Sequence, residues 1–313
     1  MRVAVTGATG FVGRHLCRVM SDHGYLVRAL VRDKEKTSGL PKSAEVVEGD
    51  IFDESSLDRL LEGADACAHL IGIIEEKPTQ SITFERMHIQ ATGRILDACA
   101  RSGIKRYLHM SALGSRPNAE SDYHRTKYAA ELLVRRSGLD WTIFRPSLIH
   151  GPDGEFTEMV ANWARGRKAP FVFMPYFGTG AAGGGPKKKV QPVFVRDVAL
   201  AFTRALMTED AIHEVFPVGG PRSMTWPEMY EIIRDKVSPN SNWRKPRPIP
   251  IWYARGLASS AELLGFSAIV PFNTDQVIMA GEDSVCDTAR LRYRLGIMPT
   301  PLDEALSQYA SKL

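Results

Sequence analysis

The sequence predicts an α/β fold, a doubly wound parallel sheet with a smaller mixed α/β C-terminal lobe, and three observations carry that expectation. Through the first 145 residues, short apolar and β-branched runs alternate with helical periodicities, the pattern of successive strand-helix-strand units. The first of those runs flows into three glycines set three residues apart, and then into a helical pattern. After Pro146 the alternation gives way to shorter segments separated by glycine- and proline-rich stretches.

Taken in order, Val3-Ala4-Val5 is the first strand and leads into Thr6-Gly7-Ala8-Thr9-Gly10-Phe11-Val12-Gly13. Phe11, Val12, His15, Leu16, Val19 and Met20 recur at helical spacing, and Gly24 closes that helix. Residues 25–31 read as a second strand, Val46-Val47 as a short third ending in Glu48-Gly49-Asp50, and residues 66–71 as a fourth. A helix over about 84–100 precedes a strand at 106–110, and a helix over about 123–136 precedes a strand at 141–144. That makes six strands, enough for a doubly wound sheet. Residues 1–150 are therefore expected to form one domain, rejoined by 190–220, where Val215 to Val218 reads as a strand for the sheet edge.

Residues 151–313 are expected to form a discontinuous substrate or partner lobe. It contains a helix at about 156–165, strands at 171–173 and 190–195, and a helix at 197–205. Thr225-Trp226-Pro227-Glu228 has the form of a capping box, and Thr300-Pro301 opens the last helix. Residues 178–189, glycines followed by three lysines, have the composition of a solvated loop. Residues 249–272 are the most apolar extended stretch, but Arg255 and Glu262 interrupt it, so it is too polar to span a membrane. It reads as a helix packed on the lobe, or as a surface for a protein or membrane partner.

The 313 residues suffice for one large domain and an appended lobe. With 44% hydrophobic and 24% charged residues, neither a disordered nor a fibrous class is indicated. Forty basic residues nearly balance 36 acidic ones, for a net charge of +4, which gives no reason to expect nucleic acid. Cys17, Cys67, Cys99 and Cys286 lack the spacing of a disulfide framework or a zinc site, so a reducing, cytoplasmic location without a structural metal is expected. With the first strand beginning at Arg2, a cleaved signal peptide is not expected, and no run of about 18 uncharged apolar residues occurs.

Three glycines between a strand and a helix suit a dinucleotide: one permits the turn, one lets backbone approach the pyrophosphate, and one allows close helix packing. The helix N-terminus offers N–H groups to the phosphates. Arg32, nineteen residues after Gly13, stands where an acid would accept the ribose 2′-hydroxyl of NAD, and arginine there accommodates the 2′-phosphate of NADP. Arg14 and Lys34 add positive charge, so NADP(H) is favoured, with NAD(H) as the alternative. Asp50 is placed to accept from the adenine amino group or to cap a helix. Tyr123 and Lys127, four apart, share a helix face, so the ammonium is expected to lower the phenol pKa and make Tyr123 an acid/base. Ser111, at the end of the fifth strand, is expected to polarise a substrate carbonyl. His150 reads as a hydrogen-bonded wall residue, and His124 as facing away from Tyr123 and Lys127.

In this order these residues resemble the extended or atypical branch of the short-chain dehydrogenase/reductase superfamily. The signatures are T-G-x-x-G-x-x-G, Gly49-Asp50, Ser111, Tyr123/Lys127 and Arg145-Pro146. Met110 to Gly114, Tyr123 to Lys127, Gln191-Pro192-Val193, Asp197-Val198-Ala199 and Thr225-Trp226 look closest to the group of the nucleotide-binding accessory subunit of respiratory complex I and its bacterial relatives. The resemblance implies a Rossmann domain that binds the cofactor through Gly7, Thr9, Gly10, Phe11, Val12, Gly13, Arg14, Arg32, Asp50, Ile51, Leu70, Ile71, Gly72, Lys127, Pro146, Ser147, Leu148 and Ile149. It implies Ser111, Tyr123 and Lys127 as a catalytic set in an oxidoreductase acting on a carbonyl or alcohol. A nucleotide-sugar epimerase or dehydratase with bound NAD, and a non-catalytic nucleotide-bound accessory or assembly protein of a respiratory complex, are the alternatives it leaves open. The accessory alternative allows a position peripheral to the membrane.

Overall fold

The computed structural model describes residues 1–180, 182, 184–185, 187–263 and 272–313. Ala181, Gly183 and Pro186 of the 178–189 loop, and residues 264–271 of the apolar stretch, lie outside the described residues. The chain forms two compact units, Met1–Pro146 with Val195–Val218 and Asp287–Met298, and Ser147–Phe194 with Gly219–Cys286 and Pro299–Leu313.

The first unit is an α/β fold built on one sheet. Its elements are β1 (Arg2–Thr6), α1 (Phe11–Asp22), β2 (Leu26–Val31), β3 (Glu45–Glu48), α2 (Glu54–Leu61), β4 (Ala66–His69), α3 (Ala91–Arg101), β5 (Arg106–Met110), α4 (Asp122–Arg136), β6 (Asp140–Pro146), α5 (Val195–Ala205), β7 (Glu214–Val218) and α6 (Ala289–Leu295). The seven strands run in the order β7-β6-β5-β4-β1-β2-β3, and every pairing is parallel. β7 is the edge strand expected at 215–218, pairing with β6 from Glu214↔Thr142 to Val218↔Pro146. β4 and β5 are buried throughout, as strands covered by helices on both faces must be.

α2 is absent from the sequence reading, although Asp53 caps it by accepting from Ser56 N at 3.0 Å. Leu57, Leu60 and Leu61 of α2 join Ile95, Cys99, Tyr107 and Ile143 in one core cluster. Each such leucine contributes about 1.5–3 kcal/mol by leaving water. The helix expected over 84–100 is two elements: a π-helical segment, Glu85–Gln90, precedes α3.

In the second unit the strand expected at 171–173 lies three residues later, at Met174–Gly178, where Pro246–Pro250 supplies a parallel partner. Phe171 and Val172 are exposed. The strand expected at 190–195 is divided: Lys189–Val190 pairs with Met224–Thr225, and Val193–Phe194 with Ile149–His150. Pro192 between them has no N–H to continue a ladder. The capping box at Thr225 forms, with Thr225 N donating to Glu228 Oε2 at 2.6 Å, and Pro301 precedes the last helix, Leu302–Tyr309. The helix Ile251–Leu263 buries small side chains, Ala254, Ala258 and Ala261. No helix among the described residues is long and apolar enough to cross a membrane.

Candidate functional site

Strand order reverses between β1 and β4, and in such sheets ligands bind at the carboxyl ends of the strands beside that switch point. The glycine turn sits there. Gly7 takes φ +74°, and a Cβ on it would lie 2.9 Å from the Leu70 carbonyl carbon, so the turn lies against the end of β4. Gly10 is exposed and precedes α1 in extended conformation, with no side chain capping the helix. A Cβ on Gly13 would overlap the Gly7 carbonyl oxygen. Gly7 thus makes the turn, Gly10 is open to solvent, and Gly13 lets the helix seat on the loop. Thr9, Phe11 and Val12 complete the loop, and Arg14 Nη1 donates to Thr9 O at 3.0 Å. This cradle fits a diphosphate, which uses backbone N–H groups and cannot tolerate added side chains.

Arg32, directly after β2, is exposed and has no ion pair among the described residues. Its neighbours are engaged. Lys34 pairs with Glu48 at 3.2 Å, and Asp33 accepts from Glu35 N at 3.0 Å and pairs with Lys36 at 3.5 Å. Asp50 Oδ1 accepts from Phe52 N at 2.9 Å in a local turn, so Asp53 rather than Asp50 caps α2; Ile51 is buried in the core cluster. Leu70, Ile71 and Gly72 follow β4. A Cβ on Gly72 would lie 2.6 Å from Lys127 Nζ, so the ammonium packs on bare backbone at that loop.

Ser121 caps α4 by accepting from His124 N at 3.2 Å, and α4 then carries Tyr123, Lys127 and Glu131 at successive four-residue steps. Lys127 Nζ donates to Met110 O at 3.2 Å and Ile71 O at 3.5 Å, joining the ends of β5 and β4. Burial pulls the Lys127 ammonium down to about 8, opposed by the nearby Glu131 carboxylate. Tyr123 is half-buried, and its ring meets Phe84, His88 and His124 edge-on at 6.0, 5.5 and 5.4 Å. Burial pushes its phenol up to about 12. This corrects the expected lowering by Lys127: the ring environment dominates, and the ammonium is directed at backbone carbonyls. It also corrects His124, which contacts Tyr123 rather than facing away.

Ser111 departs further from expectation. It is 2% exposed, and its Oγ donates to Glu131 Oε1 at 2.5 Å, with Ser115 Oγ at 3.2 Å. Glu131 is fully buried and holds Arg145 through Nε to Oε1 at 2.7 Å and Nη2 to Oε2 at 2.6 Å. A hydroxyl has one proton, and a carboxylate can only accept it. The Ser111 proton is thus directed at Glu131 and not at a substrate carbonyl, so the structure brings Tyr123 and Lys127 together at the switch point and turns Ser111 into the protein.

Two contributors were missed as site residues. Glu131 carried a signal, being one helical turn beyond Lys127. His88 sits in the π-helical segment, with Nδ1 2.9 Å from Thr126 Oγ1 and Nε2 3.2 Å from Ile73 N, so it ties the loop after β4 to α4. Burial, reinforced by Lys127, pulls His88 down to about 2, and it stays neutral. Nothing in the helical periodicity distinguishes it.

Pro146 ends β6, and its carbonyl accepts from Leu113 N at 2.8 Å. Ser147, Leu148 and Ile149 belong to the second unit, where Ser147 Oγ lies 2.9 Å from Ser284 Oγ and Leu148 O accepts from Val193 N at 2.9 Å. His150 is a buried wall residue there, its Nδ1 2.9 Å from the Tyr309 hydroxyl. No cluster of three or more potential metal ligands occurs among the described residues.

Residues 7–164 match the family described as NAD(P)H-binding. The chain is 29% identical over 324 residues to the Arabidopsis thaliana protein named NADH dehydrogenase (ubiquinone) 1 alpha subcomplex subunit 9, covering 97% of this chain and 77% of that one. To the Neurospora crassa NADH-ubiquinone oxidoreductase 40 kDa subunit it is 27% identical over 238 residues, 74% of this chain and 59% of that one. To the Caulobacter vibrioides ceramide reductase it is 37% identical over 151 residues, 48% of this chain and 47% of that one. It therefore spans less than two thirds of the length of the last two. In fold it is similar to UDP-glucose 4-epimerase of Thermotoga maritima, with TM-score 0.74 at 20% identity over 100% of this chain and 98% of that one.

Proposed function

The chain belongs to the NAD(P)H-binding family that its residues 7–164 match, and from that premise we propose that it is an NADP(H)-dependent reductase acting on a carbonyl substrate. The observation that carries this reading is geometric: α4 sets Tyr123 one helical turn from Lys127, whose ammonium reaches the ends of β4 and β5 beside the switch point. The Tyr123 phenol, pushed up to about 12 by burial, is protonated at neutral pH. It therefore holds the proton that carbonyl reduction requires.

The glycine cradle would hold the diphosphate of the cofactor, which when bound would supply hydride for the carbonyl carbon. Tyr123 Oη gives its proton to the carbonyl oxygen as electrons move onto it. Lys127, its ammonium held at the Met110 and Ile71 carbonyls, would bind the nicotinamide ribose, and the half-buried Tyr123 regains its proton from solvent. His88 and Phe84 fix the ring of Tyr123, and Glu131 keeps Lys127 charged. Arg32, exposed and without an ion pair among the described residues, supports the 2′-phosphate and hence NADP(H) over NAD(H).

A second reading, a nucleotide held rather than consumed in an accessory protein of a respiratory complex, is favoured by one observation: Ser111 gives its proton to Glu131. The relative named as an NADH dehydrogenase subunit, which aligns with 97% of this chain, supports it as well. Tyr123→Phe assayed with NADPH against a panel of aldehydes and ketones separates the two. Loss of about 10²–10⁴-fold in turnover supports the reductase. A wild-type protein that binds NADPH tightly, oxidises it with no carbonyl, and is retained by a respiratory complex in a pull-down would establish the accessory reading instead.

A further inference from the structure

Two stretches of the second unit carry basic and aromatic side chains and no acidic ones. Residues 159–194 hold six Lys or Arg, and residues 236–261 hold five, with no Asp or Glu in either, in a chain that has 36 acidic residues. The fold brings these stretches together: Met174–Gly178 pairs in parallel with Pro246–Pro250, and Arg244 Nε donates to Phe171 O at 3.1 Å.

Large apolar side chains are exposed at both ends of this ribbon. Phe171 (58%), Val172 (62%) and Trp243 (55%) stand where the paired strands begin, and Trp252 (64%), Tyr253 (54%) and Leu257 (42%) stand on the helix Ile251–Leu263 that follows. At helical pitch those last three spread over about 140° of the circumference. The buried Ala254, Ala258 and Ala261 occupy the other side. Between the two aromatic groups, Lys245 directly precedes the strand Pro246–Pro250 and Arg247 lies in it. Both are exposed and without an ion pair among the described residues, as are Arg167 and Lys168.

We propose that this face docks on an anionic lipid surface, with its tryptophans and tyrosine at the level of the headgroups and its basic side chains against the lipid phosphates. Tryptophan and tyrosine favour that interface because each joins an apolar ring to a polar tip. The lack of acidic residues over 159–194 and 236–261 supplies the charge complementarity, Glu262 at the end of the helix being engaged by Thr274, and the absence of a crossing helix among the described residues makes the association one of lying on the surface. The inference does not rest on the reductase reading.

The test is flotation of the full chain with phosphatidylcholine vesicles, with and without phosphatidylglycerol. Binding is expected only to the anionic vesicles and should weaken as salt is added. Lys245→Gln with Arg247→Gln should lower the partition coefficient about 30-fold, at roughly fivefold per charge. Trp252→Ala with Tyr253→Ala should lower it as well, and circular dichroism and the melting temperature should stay unchanged in both variants. Independently of any variant, wild-type tryptophan emission should shift to the blue with anionic vesicles and stay fixed with neutral ones. No partition into anionic vesicles at low salt, equal partition into neutral ones, or capture of an acidic protein without any vesicle binding would overturn the proposal.

Discussion

Replacing Ser111 by alanine is expected to weaken the fold while leaving nucleotide affinity intact. The Ser111 hydroxyl is 2% exposed and donates at 2.5 Å to a carboxylate that is itself fully buried. A hydrogen bond to a charged acceptor is worth about 1.5–3 kcal/mol. The loss stays in that range because Glu131 keeps both contacts to Arg145, at 2.7 and 2.6 Å, so no buried charge is left alone. Removing Arg145 instead would cost about 3–5 kcal/mol, the usual result of breaking a buried pair. For a domain of about 150–250 residues, each kcal/mol moves the midpoint by about 2–4 °C, so Ser111→Ala should melt about 3–12 °C below wild type. Differential scanning calorimetry measures this, and an NADPH titration of the same preparation should match wild type. A variant that melts as wild type and loses carbonyl turnover 100-fold or more would show that Ser111 faces the substrate, and the argument from its proton would fail.

Arg32→Ala should weaken NADPH binding about 10- to 150-fold, the value of about 1.5–3 kcal/mol for a charge-assisted contact, and leave NADH unchanged; equal weakening of both would remove Arg32 from phosphate recognition. Gly13→Ala forces a methyl onto the Gly7 carbonyl oxygen, so nucleotide binding should vanish in isothermal titration and stability should fall by about 1–3 kcal/mol. Lys127 sets a pH window: its folded pKa of about 8 lies below its ordinary 10.5, so the folded chain releases that proton before the unfolded one does. NADPH affinity should therefore fall as pH rises through about 8. Over the same window up to 10.5, the Lys127 contribution makes the chain without nucleotide more stable, since there the unfolded state binds the extra proton. Affinity that is flat from neutrality to pH 10 would rule out the ammonium as a nucleotide contact.

Much of the first unit was legible because its signals are local. The run Val3-Ala4-Val5 into the glycine turn, the four-residue step from Tyr123 to Lys127, and the apolar Val215 to Val218 each fix an element by spacing or composition. The second unit was less so, because partners decide its strands: Phe171 to Phe173 is apolar yet stands outside the ladder, and Met174–Gly178 is placed by Pro246–Pro250. Helix α2 was missed although Asp53, Leu57, Leu60 and Leu61 announce it. Of the candidate site residues, Tyr123 and Lys127 could be placed on one helix face, and Arg32 at the end of β2, from spacing alone. Where the Ser111 proton points could not, because it depends on Glu131 and Arg145, residues brought to it by α4 and β6 across the sheet. The direction of the Tyr123 shift was likewise hidden, since it follows from rings at Phe84, His88 and His124 rather than from the lysine one turn away.

Binding of NADP(H) through the glycine turn and Arg32 is the proposal on which the reductase reading depends. The most direct measurement is a titration of the purified wild-type protein, stripped of any co-purifying nucleotide identified by mass, with NADPH and with NADH. NADPH should bind at least tenfold tighter than NADH, with the difference shrinking as salt screens the exposed Arg32. NADH binding as tightly as NADPH or tighter, or no binding of either, would contradict that proposal.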